Sequence, residues 1–255
     1  MAEKKLIWDW DSFWEADYKN VSAEAAFNAR SHQGRITLEV LNKRKSGARI
    51  LEAGCGIGTW VFWFDRLGFD SYGIDISFAS LHRAVTYSQE EGSRRGFLQG
   101  DIKQLPFRNE IFDVVVSYGA VEHFPDTENA LRDFLRVLKP EGVCLVTTPN
   151  PFSFHRLIGR HILNITKSRK LGYVGYENAF TPRQLAQKLK NVGFPKVEYG
   201  ILSNGMGHLL GEFWPAMPMI GKHIFNLSLK VAHFIEARQN TIGGGSFAIG
   251  YKRGS

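Results

Sequence analysis

Apolar and polar positions follow two different rhythms along this chain. Short, nearly continuous apolar runs recur at Ala48–Ala53 (ARILEA), Ser71–Ile76 (SYGIDI), Gly96–Gln99, Ile111–Ser117 (IFDVVVS) and Val143–Thr148. Runs this short, bounded by glycine, proline or acid, predict strands buried on both faces. Between them lie stretches with helical spacing: Thr59–Leu67, Phe78–Glu90 with Ser77 as its cap, and Pro125–Leu138. The last of these gathers Leu131, Phe134, Leu135 and Leu138 on one face. Lys139-Pro140-Glu141-Gly142 reads as a turn. Strands alternating with helices predict an α/β fold, a doubly wound and mostly parallel sheet. Right-handed crossovers then bring the strand carboxyl ends to one edge, where ligands bind.

Past Pro149 the rhythm changes. Residues 150–180 are loop-like, basic and aromatic, with Arg156, Arg160, His161, Lys167, Arg169 and Lys170 close together. Thr181-Pro182 opens a helix, Thr181 as cap and Pro182 at the first position, running through Leu185, Leu189 and Val192 to Gly193. Lys196–Ile201 and Gly245–Tyr251 (GSFAIGY) read as the last strands. Leu6–Lys45 is expected to be helical, and Asn204–Asn240 to be a partly helical, strongly apolar insertion. The whole of 1–255 reads as a single domain, with an N-terminal helical cover (1–45) and a ligand-binding core (46–150). A loop (150–180) and a lid (204–240) shape its far side.

Composition narrows the class. A chain of 255 residues, 44% hydrophobic and 22% charged, suits a globular fold rather than disorder. Two cysteines, Cys55 and Cys144, are too few for a disulfide framework, and no Cys/His spacing suits zinc. The acidic, tryptophan-rich start (MAEKKLIWDWDSFWEADY) does not read as a secretory signal, and the apolar stretch from Met206 to Ile235 is interrupted by charge and proline. A cytoplasmic location without a transmembrane segment is the expectation. The net charge of +7 leaves anionic partners open, among them nucleic acid and a lipid surface.

The chemistry concentrates at Leu51–Trp60 (LEAGCGIGTW). Gly54, Gly56 and Gly58 allow a tight strand-to-helix turn whose backbone approaches a ligand where a Cβ would collide. Asp75 ends the next strand, 21 positions after Gly54, placed to accept hydrogen bonds from ribose hydroxyls. That much also suits a dinucleotide. Here the spacing is GxGxG rather than GxGxxG, with Thr59 where the third dinucleotide glycine would fall. Glu52 would repel a pyrophosphate, whereas an acid there suits a ligand with a cationic amino group, such as S-adenosylmethionine. Asp101, after Gly100 at the end of the third strand, can accept from an adenine amino group while Ile102 packs on the ring.

The set LEAGCGIG, GIDIS, GDIKQLPF, FDVVVSYGAVEHF and LRVLKPEGVCLVTTPN resembles the class I, Rossmann-like S-adenosylmethionine-dependent methyltransferases. It looks most like the group containing the ubiquinone/menaquinone methyltransferases and many small-molecule methyltransferases. The resemblance is close over about residues 48–150, and FTPRQLAQKLKNVG at 180–193 resembles the family's penultimate helix. It implies a seven-stranded sheet with an antiparallel last strand. It also implies that Glu52 and the loop of Gly54, Cys55, Gly56 and Gly58 hold the methionine end of the cofactor. Asp75 would serve the ribose, Asp101 and Ile102 the adenine, Ser117 and Tyr118 would lie beside the methionine moiety, and Ile76 is a further cofactor-binding candidate. The product would be S-adenosylhomocysteine.

A general base is needed only for a hydroxyl or acidic-carbon acceptor. His123, just past the fourth strand, is the candidate, with cofactor orientation as its alternative role. His155, Tyr173, Tyr176 and Glu177 follow the fifth strand. Trp14 and Tyr18 share a helical face and are candidates to cover the cofactor, or simply to pack the N-terminal helix. The apolar 204–240 segment suits a small hydrophobic acceptor, a quinone, glycolipid or similar, or a membrane surface. The alternatives are an RNA or protein methyltransferase and a non-catalytic binder of the cofactor. Nucleic-acid bases are disfavoured because SYGAVEHF lacks the Asn/Asp-Pro-Pro-aromatic motif. In titration calorimetry the chain is expected to bind S-adenosylhomocysteine and not NAD; the reverse result would refute the loop reading.

Overall fold

The computed structural model describes residues 9–16, 32–90, 96–153, 177–202 and 244–254. Helices α1 (Trp10–Ala16) and α2 (His32–Leu41) precede β1 (Arg49–Ala53), α3 (Thr59–Arg66), β2 (Asp70–Asp75) and α4 (Phe78–Glu90). Then come β3 (Gly96–Gln99), β4 (Phe112–Tyr118), a 3₁₀ turn at Val121–His123, α5 (Thr127–Val137) and β5 (Leu138–Pro149). Helix α6 (Pro182–Asn191), β6 (Lys196–Leu202) and β7 (Gly245–Tyr251) complete the described chain.

The strands form one seven-stranded sheet in the order β3-β2-β1-β4-β5-β7-β6. Strands β1 to β5 pair in parallel; β7 runs antiparallel between β5 and β6. The chain order reverses between β1 and β4, and the crevice at their carboxyl ends is where a doubly wound sheet takes its ligand.

Alternation along each strand feeds two cores. Leu51, Val115, Cys144, Val146 and Ala248 face α5 and α6, meeting Leu131, Phe134, Leu185 and Leu189. Ile50, Val114, Val116, Leu145 and Ile249 face the opposite side, against Ile36, Val40 and Leu41 of α2 and Phe64 of α3. The period-two pattern thus splits neighbouring residues between two apolar layers, which is why these strands read as continuous apolar runs.

Helix caps are local. Thr181 and Gln184 form a reciprocal capping box at α6, with Pro182 at the first helical position. Ser77 accepts the Ser80 amide at the start of α4 (3.2 Å).

The turn expected at Lys139–Gly142 lies inside β5. Pairing with β4 jumps from Phe112↔Leu138 to Val114↔Val143, and Glu141 takes a left-handed φ of 61°. The residues still bend, but Leu138 and Val143 both rejoin the ladder, so the bend is absorbed as a bulge. Helix α5 accordingly ends one residue earlier than its apolar face suggests. Of the stretch expected to be helical from Leu6 to Lys45, α1 and α2 are described. The 204–240 insertion, the basic cluster at 156–170, and His155, Tyr173 and Tyr176 lie outside the described residues. No helix among the described residues is long and apolar enough to cross a membrane.

Phe134 is wholly buried between the sheet and α6. Phe134→Ala is expected to lower unfolding stability by about 3–5 kcal/mol in denaturant titration, through lost burial and the cavity left behind.

Candidate functional site

A cavity of about 400 Å³ opens at the carboxyl ends of β1, β2 and β4. Its floor is the turn after β1. The Gly54 and Cys55 amides both donate to the Ile74 carbonyl (2.8 and 3.0 Å), which ties the turn to the end of β2. Gly54, Gly56 and Gly58 have φ of 80°, 51° and 78°, the left-handed region that favours glycine. Space adds a second constraint: a Cβ on Gly54 would lie 2.4 Å from that of Ala120, and one on Gly56 would lie 2.5 Å from the Trp14 ring.

Two buried carboxylates hold this turn. Asp75 accepts the Gly56 amide on one oxygen (2.7 Å) and the Ser77 amide on the other (2.9 Å). Glu52 accepts the Val61 amide (3.2 Å) and so caps α3, whose N-cap residue Gly58 has no side chain to do so. Burial pushes the Glu52 carboxyl well above the ordinary carboxylate range, and the charge of Asp75 adds to it, while the Val61 amide works the other way. Burial also raises Asp75, with the amides of Ser77 and Gly56 opposing. Each carboxylate has acceptor sites left over, because two oxygens offer about four lone pairs. The cavity therefore presents two carboxyl groups with accepting capacity left over on one wall.

The remaining walls are mostly apolar. Ile76, Asp101 and Ile102 line one end. Asp101 accepts the Lys103 amide (2.9 Å), and its other oxygen lies 3.4 Å from the Lys103 ammonium, which also sits 5.0 Å from the centre of the Phe124 ring. Across the cavity, Tyr118 packs on Trp60 with ring centres 4.7 Å apart, and its hydroxyl shares a 2.8 Å hydrogen bond with Thr37. Burial holds that hydroxyl well above its ordinary pKa, so it stays protonated. His123 lines the cavity, with the Trp10 ring edge-on at 4.9 Å.

The structure brings together Glu52, Gly54, Cys55, Gly56, Asp75, Ile76, Asp101, Ile102, Tyr118, His123 and Trp14 on one cavity. Two expected residues stand behind it. Ser117 is fully buried, its hydroxyl donating to the Ala53 carbonyl (2.9 Å), and Gly58 serves as the left-handed cap of α3. Tyr18 lies outside the described residues. Trp10, a member of the N-terminal aromatic run, lines the cavity too, and so do Trp60 and Phe124. Trp10 precedes Trp14 by one helical turn, a spacing legible in the sequence; Trp60 and Phe124 carry no such signal. Among the described residues no cluster of His, Cys, Asp and Glu has the makings of a metal site.

Residues 51–146 match the family model of the methyltransferase domain. Over that stretch the chain is similar to the class I S-adenosylmethionine-dependent methyltransferases. It is 27% identical over 154 residues to a ubiquinone biosynthesis O-methyltransferase from Rickettsia canadensis, covering 58% of this chain and 63% of that protein. It is 33% identical over 105 residues to a sterol 24-C-methyltransferase from Aspergillus fumigatus, over 39% of this chain and 27% of that one. The chain thus spans less than two thirds of the length of either relative. In fold it is similar to a Haemonchus contortus phosphoethanolamine N-methyltransferase solved with S-adenosyl-L-methionine, at a TM-score of 0.62 and 18% identity, over 95% of this chain and 59% of that one. S-adenosylmethionine, the cofactor of such domains, suits this cavity: its cationic amino group and sulfonium answer the buried carboxylates.

Between the ordinary carboxylate range and the raised one, the unfolded chain releases the Glu52 proton before the folded chain does. The ligand-free protein therefore loses stability as pH rises through that window. Glu52→Gln keeps an acceptor for Val61 and removes the buried charge. It is expected to raise or leave unchanged the melting temperature of the ligand-free protein at neutral pH, yet weaken S-adenosylhomocysteine binding at least tenfold, about 1.4 kcal/mol. Calorimetry and thermal unfolding on the same variant check both halves.

Proposed function

We propose that the chain is an S-adenosylmethionine-dependent methyltransferase whose acceptor is a small molecule with a hydrophobic body. The observation that carries this reading is the cavity itself: carboxylates at one side, and the rings of Trp10, Trp60, Tyr118 and Phe124 around the rest. The relatives support it, since one is named for ubiquinone biosynthesis and the other for a sterol. A quinone-like, sterol-like or glycolipid acceptor is the class in view.

The assigned roles follow position. Glu52 and the Gly54–Gly56 turn take the amino-acid end, and Asp75, beside Ile76, keeps free lone pairs for ribose hydroxyls. Asp101 and Ile102 take the adenine edge and face. Bound there, S-adenosylmethionine supplies a methyl carbon activated by its sulfonium. What remains for the protein is alignment and exclusion of water, which the ring walls provide. His123, on the turn that follows β4, lines the cavity and is assigned the proton that a hydroxyl or acidic-carbon acceptor must lose.

Incubated with methyl-labelled cofactor and a lysate, the protein is expected to yield a labelled product that extracts into organic solvent. Label confined to RNA or protein would overturn the acceptor class. His123→Ala is expected to lower the maximal rate by roughly 10²–10⁴-fold, the usual worth of a positioned base. A maximal rate left intact would remove His123 from that role.

A further inference from the structure

We infer that Asp11 is a positioning residue, the latch that holds α1 shut over the bound cofactor; this rests on the cofactor reading above. The three residues involved lie within five positions of sequence. Trp10 and Trp14, one helical turn apart, both line the cavity. The Trp14 ring occupies the place a Cβ on Gly56 would take. The Trp10 ring meets His123 edge-on at 4.9 Å. One short helix thus forms a wall at the cofactor turn and another at the proton acceptor.

A seven-residue helix has little stability of its own and stays where tertiary contacts hold it. Asp11 supplies such a contact. One carboxylate oxygen accepts both the Ser77 hydroxyl (2.6 Å) and the Ala79 amide (2.9 Å) at the start of α4. A carboxylate there gains from the exposed amides and from the helix dipole. The contact joins the site directly: the Ser77 amide donates to Asp75, whose second oxygen accepts Gly56. Lid, α4 start, ribose carboxylate and glycine turn are therefore one hydrogen-bonded chain. Cofactor exchange past Trp14 requires α1 to lift, and lifting breaks both bonds to Asp11.

The test measures release of S-adenosylhomocysteine by stopped-flow displacement from the full chain. Asp11→Ala is expected to speed release roughly tenfold. Its association rate should be unchanged or faster, and its melting temperature within a few degrees of the parent. A merely weakened fold would instead slow association and lower the melting temperature. Asp11→Asn keeps the accepting oxygen without the charge and should fall between the two. Adding Ser77→Ala to Asp11→Ala should change release little further, because both act through one contact. Hydrogen exchange without ligand gives a second readout: the Ala79 amide should exchange faster in Asp11→Ala. Release and exchange equal to the parent would overturn the latch while leaving the cofactor reading intact. Failure of the parent itself to bind S-adenosylhomocysteine would sink both.

Discussion

The turn between β1 and α3 cannot satisfy its own backbone. Three glycines give it the left-handed bends it needs but no side chains with which to cap the helix that follows. The Gly54 and Cys55 amides go to the Ile74 carbonyl, and carboxylates from strand ends take two more, Gly56 by Asp75 and Val61 by Glu52. Burial raises both above their ordinary range, and the charge of Asp75 adds to the shift of Glu52. The same arrangement that holds the turn creates an electrostatic demand that a cationic ligand meets. Structural support and ligand recognition are one set of contacts here, as expected where titratable groups are strongly perturbed in a cleft.

Everything else arranges itself around that demand. Parallel pairing brings Glu52 and Asp75 to one edge, and the reversal of strand order between β1 and β4 opens the crevice above them. The post-β4 turn closes in because Gly54 lets Ala120 approach, and it carries His123 and Phe124 to the cavity. Helix α2 contributes at a distance, through Thr37 on the Tyr118 hydroxyl. Across the top, α1 is tied down by Asp11 and presents two tryptophans inward.

The strand ends and the glycine turn are determined by sequence alone. Continuous apolar runs mark β1, β2, β4 and β5 because both faces of these strands are covered. Left-handed turns mark Gly54 and Gly56 because other residues rarely adopt them. Glu52, Asp75 and Asp101 follow from being polar at the ends of buried strands, where position along the chain and position in space coincide. What tertiary structure alone decided is everything that depends on distance between elements. Ser117 sits one residue from Tyr118, yet strand alternation points it into the sheet and Tyr118 to the cavity. The Lys139–Gly142 turn became a bulge because both its flanks found partners on β4. Trp60, Phe124 and the reach of Asp11 to α4 have no local signature, since nothing in a residue's neighbours along the chain records which helix end it will meet in space.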